Sequence, residues 1–184
     1  VHGIPETYPL DFHSPYGCSK GTGDQYMLDY ARIYGLKTMV FRQSCIYGQR
    51  QFGVEDQGWV AHFVIATVKN RPITIYGDGK QVRDLLHVQD LVHAYELGLQ
   101  HIEAQRGEVF NVGGGPQNTL SIWTEFGPLL ADLAGYEVPA KWGDWRPGDQ
   151  RVFITDIRKI REQLGWQPTI SPRQGIQELY SWVS

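Results

Sequence analysis

The stretch from Ser14 to Arg42 constrains the fold more than any other part of the sequence. Ser14 is a favourable helix cap, and Pro15 suits the first helical position, where its missing N–H is not needed. Apolar side chains then recur at Tyr26, Met27, Tyr30, Ala31 and Ile33 before Gly35. This predicts a helix from Ser14 to Tyr34 that glycine stops. Directly after it, Leu36-Lys37-Thr38-Met39-Val40-Phe41-Arg42 is short and rich in strand formers. A helix running straight into a strand suggests the alternation of a wound parallel sheet, so the fold class expected is α/β.

The alternation continues downstream. Gln57 to Lys69 reads as a helix, Ile73 to Tyr76 as a strand, Gly77-Asp78-Gly79-Lys80 as a tight turn and Val82 to His87 as a further strand. Asp90 to His101 carries Leu91, Ala94, Tyr95 and Leu97 at helical spacing, and Val109 to Val112 is a strand ending in Gly113-Gly114-Gly115-Pro116. Ser121 to Leu133, Ile157 to Leu164 and Ile176 to Val183 read as helices. Pro139 to Gly148, with two Trp, two Gly and two Pro, reads as the long loop. There is no internal repeat and no low-complexity segment.

Composition excludes several function classes. Seventeen basic against twenty acidic residues give a net charge of -3, and 12% of positions are aromatic, so neither a nucleic-acid binder nor a disordered tail is indicated. The expected partners are small molecules or protein. The longest nearly apolar stretch, Trp59 to Val68, is far short of the roughly 20 residues a spanning helix needs, so no membrane partner is expected. Cys18 and Cys45 fit two reduced thiols in a cytoplasm, with Cys18 a small buried side chain rather than a nucleophile. No His pair has metal-ligand spacing, so no metal is expected, and His87 at a strand end suits packing or a structural hydrogen bond. The opening Val1-His2-Gly3-Ile4-Pro5-Glu6 reads as cut from the middle of a longer chain.

Tyr16 and Lys20 stand four apart at the start of the first helix, which puts both side chains on one face, a turn from each other. A nearby cation favours a phenolate over a phenol, so such a pair can accept a proton near neutral pH. The alternative is an aromatic packed under a solvated lysine, and the pair alone does not decide between them.

Its surroundings add more. Leu10-Asp11-Phe12-His13-Ser14-Pro15-Tyr16-Gly17-Cys18-Ser19-Lys20-Gly21 resembles the Tyr-x-x-x-Lys segment of extended short-chain dehydrogenases, especially their nucleotide-sugar epimerases and dehydratases. Further landmarks follow in that family's order: Phe41 to Phe52, Tyr76 to Asp90, Phe110-Asn111-Val112-Gly113-Gly114, Arg146 to Arg151, and Leu164-Gly165-Trp166-Gln167-Pro168. Asp11-Phe12-His13, Ser44, Gln49, Asp56-Gln57-Gly58-Trp59 and Asp149-Gln150-Arg151-Val152-Phe153 depart from the common 4-epimerase wording and resemble the branch that inverts C2 of CDP-linked sugars.

The resemblance implies the C-terminal part of an NAD(P)-binding Rossmann-like fold plus a smaller substrate-binding α/β region. Residues 1–50 would belong to the former, and 51–184 mainly to the latter, with some segments returning to the sheet. It implies NAD as cofactor, Tyr16 and Lys20 as catalytic residues that also touch NAD, and a homo-oligomer built on the aromatic-rich first helix. Ser44 would contact cofactor or sugar, and Arg50, Gln57, Tyr76, Lys80, Arg83, Arg146 and Asp149 the nucleotide sugar. For Ser44, Arg50 and Gln57, loop and helix capping is the alternative; for Arg83 and Arg146 it is surface pairing, the latter with Asp149. The family's glycine-rich diphosphate turn has no match here: Gly21-Thr22-Gly23 lies inside the predicted helix, and Gly113-Gly114-Gly115 is broken by Pro116. This chain alone is therefore expected to be weakly active or inactive. Other readings are a 4-epimerase, a 4,6-dehydratase, or a non-catalytic nucleotide-sugar-binding or oligomerising piece.

Overall fold

The computed structural model describes residues 2–184; Val1, at which the reading as a cut chain starts, lies outside them. The first helix, α1, runs Pro15–Tyr34 as the sequence predicts. Ser14 is extended and its hydroxyl accepts the Gly17 N–H at 3.0 Å, while Gly35 closes the helix in the left-handed conformation at φ 66°. Gly21 lets the preceding segment fold back against it, since a Cβ there would lie 1.9 Å from Phe12 Cζ.

The strands that follow are β1 (Met39–Gln43) and β2 (Cys45–Tyr47), then α2 (Trp59–Val68), β3 (Ile73–Tyr76), β4 (Val82–His87), α3 (Val88–His101) and β5 (Glu108–Val112). The remaining elements are β6 (Thr119–Ser121), α4 (Phe126–Ala134), β7 (Ala140–Gly143), β8 (Val152–Phe153), α5 (Arg158–Leu164) and α6 (Pro172–Val183). β1 pairs in parallel with β5, with Phe41 opposite Phe110; β2 pairs in parallel with β4, with Ile46 opposite Leu86. β4 continues between antiparallel β6 and parallel β8, and β3 pairs in parallel with β7. Parallel pairs joined through helices make this an α/β protein.

Three sequence-based expectations need correction. Ser121 does not begin a helix: it ends β6, and its hydroxyl and N–H bond the Glu125 carboxylate in a turn that delays α4 to Phe126. Ala140–Gly143, inside the expected long loop, is a strand, because its backbone completes a ladder with β3 that no local propensity announces. Cys18, expected to be buried, is exposed on α1, whose buried residues are Gly21 and Ala31.

Burial divides into two clusters. One gathers Leu86, Leu91, Ala94, Phe110, Val112, Ile160, Leu164 and Trp166 around β4, β5, α3 and α5; the Trp166 indole N–H also donates to the Asp90 carbonyl at 2.9 Å. The other gathers α2, α4 and α6 with β3 around Phe63, Ile75, Phe126, Leu130, Ile176 and Leu179. Each such side chain contributes about 1.5–3 kcal/mol on removal from water. Ser44 stands where the chain passes from one pairing to the next: its N–H donates to the Val112 carbonyl of β5, and the next residue opens β2 against β4.

Candidate active site

The Ser14 cap fixes where α1 starts and so where Tyr16 and Lys20 stand, on its first two turns. Lys20 Nζ lies 5.5 Å from the centroid of the Tyr16 ring. Tyr16 is 69% exposed and opens, with Lys20, on a cleft of about 790 Å³ between α1 and β1. Arg42 of β1 ties the two elements together: its guanidinium donates to both Asp24 carboxylate oxygens, at 2.6 and 3.2 Å, and to the Glu6 carbonyl at 3.0 Å. A phenol and an ammonium on one wall, with Phe12, Met27 and Phe41 nearby, suit a group with an aromatic ring and hydroxyls, and the cleft is in the usual size range for a ligand.

Ser44 lines the same cleft. Its hydroxyl donates to the buried Asp84, within 2.5 Å of Oδ1 and 2.8 Å of the carbonyl, so its proton is held on the protein side. Asp84 Oδ2 in turn accepts the Gly115 N–H at 3.0 Å. Sequence reading missed Asp84, whose role depends on a contact from forty residues away in the chain.

Cys45, the next residue, lines a different cavity, as alternation along an extended backbone requires. This is a slot of about 190 Å³ walled by Trp59, Phe63, Tyr76, Arg83, Arg146 and Asp149, among others. Arg83 donates to Asp149 Oδ1 at 2.8 Å, and the Gln81 amide donates to Asp149 Oδ2 at 3.2 Å and to the Tyr76 carbonyl at 2.6 Å. The Arg146 guanidinium carbon lies 4.0 Å from the centroid of the Tyr76 ring, and its Nη2 lies 3.3 Å from Asp56 Oδ1 and 3.8 Å from Glu55 Oε1. Tyr76 OH donates to Glu55. Asp149 thus pairs with Arg83, not with Arg146, the surface pairing weighed as the alternative for that arginine.

The structure brings Tyr76, Arg83, Arg146 and Asp149 to one slot, and Tyr16, Lys20 and Ser44 to one cleft. It does not bring in the rest. Arg50 is exposed in a left-handed turn at φ 68°, Gln57 is exposed and paired through its backbone with Val54, and Lys80 is exposed with its N–H on Asp78. None of the three lines the slot. Glu55, Trp59, Phe63 and Gln81, which do, lay inside or beside strings already singled out, and only the folded contacts mark them.

Burial pushes the Cys45 thiol up, with a Trp59 contact opposing, so it stays a neutral wall of the slot. Burial holds His62 below the usual imidazole range, against the opposing pull of Glu55. His87 sits at the end of β4, where its Nδ1 accepts the Gln89 N–H at 3.4 Å and caps α3. Burial lowers its basicity too, with Glu178 and Asp90 opposing. Among the described residues no three His, Cys, Asp or Glu side chains gather as metal ligands, and no helix is long and apolar enough to cross a membrane.

Residues 2–113 match the model of the NAD dependent epimerase/dehydratase family. The chain belongs to that family. A CDP-paratose 2-epimerase of Salmonella typhi is 48% identical over 188 aligned positions, which take in 100% of this chain and 55% of that protein. The UDP-glucose 4-epimerase of Thermotoga maritima, solved with UDP-glucose, superposes with a TM-score of 0.88 at 34% identity, over 99% of this chain and 57% of that one. The UDP-glucuronic acid 4-epimerase of Bacillus cereus, solved with UDP-glucuronic acid and NAD, gives 0.89 at 26% identity, over 100% and 56%. The chain thus spans about half the length of these epimerases, and the structural match covers both of its hydrophobic clusters.

Proposed function

We propose that this chain is the nucleotide-sugar half of an NAD-dependent epimerase that inverts C2 of a CDP-linked sugar, converting CDP-paratose to CDP-tyvelose. The observation that carries this is the junction at Ser44 and Cys45. Two consecutive residues line two sites, one with a phenol and an ammonium, the other with two guanidiniums and aromatic walls. A nucleotide sugar whose base and diphosphate occupy the slot would present its sugar toward the Tyr16 cleft. The 48% identity to a CDP-paratose 2-epimerase supports the choice of base and sugar.

In this reading Tyr16 and Lys20 hold the nicotinamide ribose by their phenol and ammonium groups. NAD, when bound, supplies a hydride acceptor and later the same hydride back. Tyr16, as phenolate, takes the proton of the C2 hydroxyl and returns it after the keto-sugar has offered its other face; Lys20 stabilises the negative charge of that phenolate. Ser44, its proton committed to Asp84, offers the sugar an acceptor. Arg83 and Arg146 clamp the diphosphate, for which guanidinium forks are matched in shape and charge. Residues 1–50 then belong to the cofactor domain and 51–184 mainly to the substrate region, with α3, β5 and α5 returning to the sheet. The exposed Tyr26, Met27, Tyr30 and Ile33 of α1 suit a homo-oligomer contact, and the free Cys18 and Cys45 thiols suit the cytoplasm.

Calorimetric titration of this chain with CDP and UDP tests the slot, and incubation of the complete enzyme with CDP-paratose, followed by NMR of the sugar protons, tests the reaction. CDP bound more tightly than UDP, with a C2-inverted product, is expected. Absence of CDP binding in the millimolar range, or a product changed at C4 or C6, would sink this reading in favour of a 4-epimerase or dehydratase.

A further inference from the structure

The slot is not an open pair of guanidiniums. Arg146 lies on the Tyr76 ring at 4.0 Å, with Asp56 3.3 Å and Glu55 3.8 Å from its Nη2, and Glu55 also accepts the Tyr76 hydroxyl. Three segments distant in sequence therefore meet at one guanidinium: the loop before α2, the end of β3 and the loop between β7 and β8. Arg83 is the less exposed of the two, its side chain at 13% against 38% for Arg146, and it is held by an Asp149 that Gln81 also grips. Arg146 has the weaker hold, because Asp56 is 89% and Glu55 48% exposed, where solvent screens such pairs.

We propose that Glu55 and Asp56 act as internal competitors for the ligand's diphosphate. Resting on the reading of the slot as a nucleotide-diphosphate site, the inference adds an exchange of partners. In the free protein the two carboxylates hold Arg146 over Tyr76. An arriving diphosphate draws the guanidinium away, and the same movement bares the Tyr76 ring for a base to stack on. A ligand carrying both a base and a diphosphate recovers both contacts that Arg146 gives up, whereas inorganic phosphate recovers one. Affinity for the nucleotide is reduced by the fraction of molecules in which Arg146 is held.

The test is calorimetric titration of the whole chain with CDP, in wild type, E55Q/D56N, R146A and the triple variant, with circular dichroism to confirm folding. Exposed ion pairs of this kind weaken by about 1.4- to 5-fold per carboxylate removed, so E55Q/D56N is expected to bind CDP several-fold more tightly than wild type. In the R146A background the same pair of substitutions should change affinity little. Weaker or unchanged CDP binding by E55Q/D56N overturns the inference, since the carboxylates would then be contacting the ligand or nothing. Tightening that persists at full size without Arg146 overturns it too, as a general effect of lowered negative charge. If no folded variant binds CDP, the slot reading itself falls, a result distinct from CDP binding that is indifferent to Glu55 and Asp56.

Discussion

Replacing Asp84 by alanine removes the acceptor on which two donors converge, the Ser44 hydroxyl and the Gly115 N–H. Asp84 is 0% exposed, so solvent does not take its place. Each buried donor left without its partner costs about 1–3 kcal/mol. Ser44 keeps the Asp84 carbonyl at 2.8 Å, which places the sum at roughly 2–4 kcal/mol. Urea unfolding followed by tryptophan fluorescence measures it: with a slope of about 2 kcal/mol/M, the midpoint should fall by about 1–2 M at unchanged slope. Ser44→Ala alone, which leaves Asp84 with Gly115, should cost about 1 kcal/mol. Because both substitutions remove the same bond, the double variant should lose less than the sum of the two by about 1 kcal/mol or more. A loss below about 0.5 kcal/mol for Asp84→Ala, or strict additivity with Ser44→Ala, would refute the placement of this carboxylate at the junction of the two sites.

Four further outcomes are expected. A Cβ at Gly114 would lie 2.2 Å from the Leu85 carbonyl oxygen, so Gly114→Ala must push β4 away and should cost at least about 3 kcal/mol, read as a lower melting temperature or loss of soluble protein. His87 is held below its ordinary value of 6.5 by burial, so its contribution to stability is present above about pH 6.5 and is lost as the pH falls through the lower folded-state value; melting temperature should drop from pH 7.5 to 5.5, and less so in His87→Gln. Asp156, held below 3.8 chiefly by its hydrogen bond from Arg158, adds a second loss only as the pH falls below about 4. Tyr16→Phe should leave the melting temperature of this 69% exposed residue almost unchanged while lowering turnover of the complete enzyme by about 10²–10⁴, and a full-rate Phe variant would remove Tyr16 from its proposed role.

Much of the α/β framework was legible because its signals are local. The Ser14 cap, Pro15 and Gly35 bound α1, and the alternation of Ile73–Tyr76 and the bounds of Val82–His87 are written in strand formers between turn residues. The Tyr16–Lys20 pair was legible for the same reason, since helical spacing alone puts the two on one face. The strand at Ala140–Gly143 was not, because Ala, Lys, Trp and Gly become a strand only when β3 offers its edge.

The amino-acid sequence by itself therefore determined the order of the helices and of β1, β3, β4 and β5, the family resemblance and the residue types able to hold a phosphate or move a proton. Partner choice was left to the tertiary structure. Asp149 meets Arg83 rather than Arg146, Asp84 takes the Ser44 proton, and Glu55 and Asp56 reach Arg146 across ninety residues of chain. The physical reason is that charge pairing and cavity walls depend on distances of a few ångströms between segments far apart in sequence, which only the packing of the two hydrophobic clusters sets.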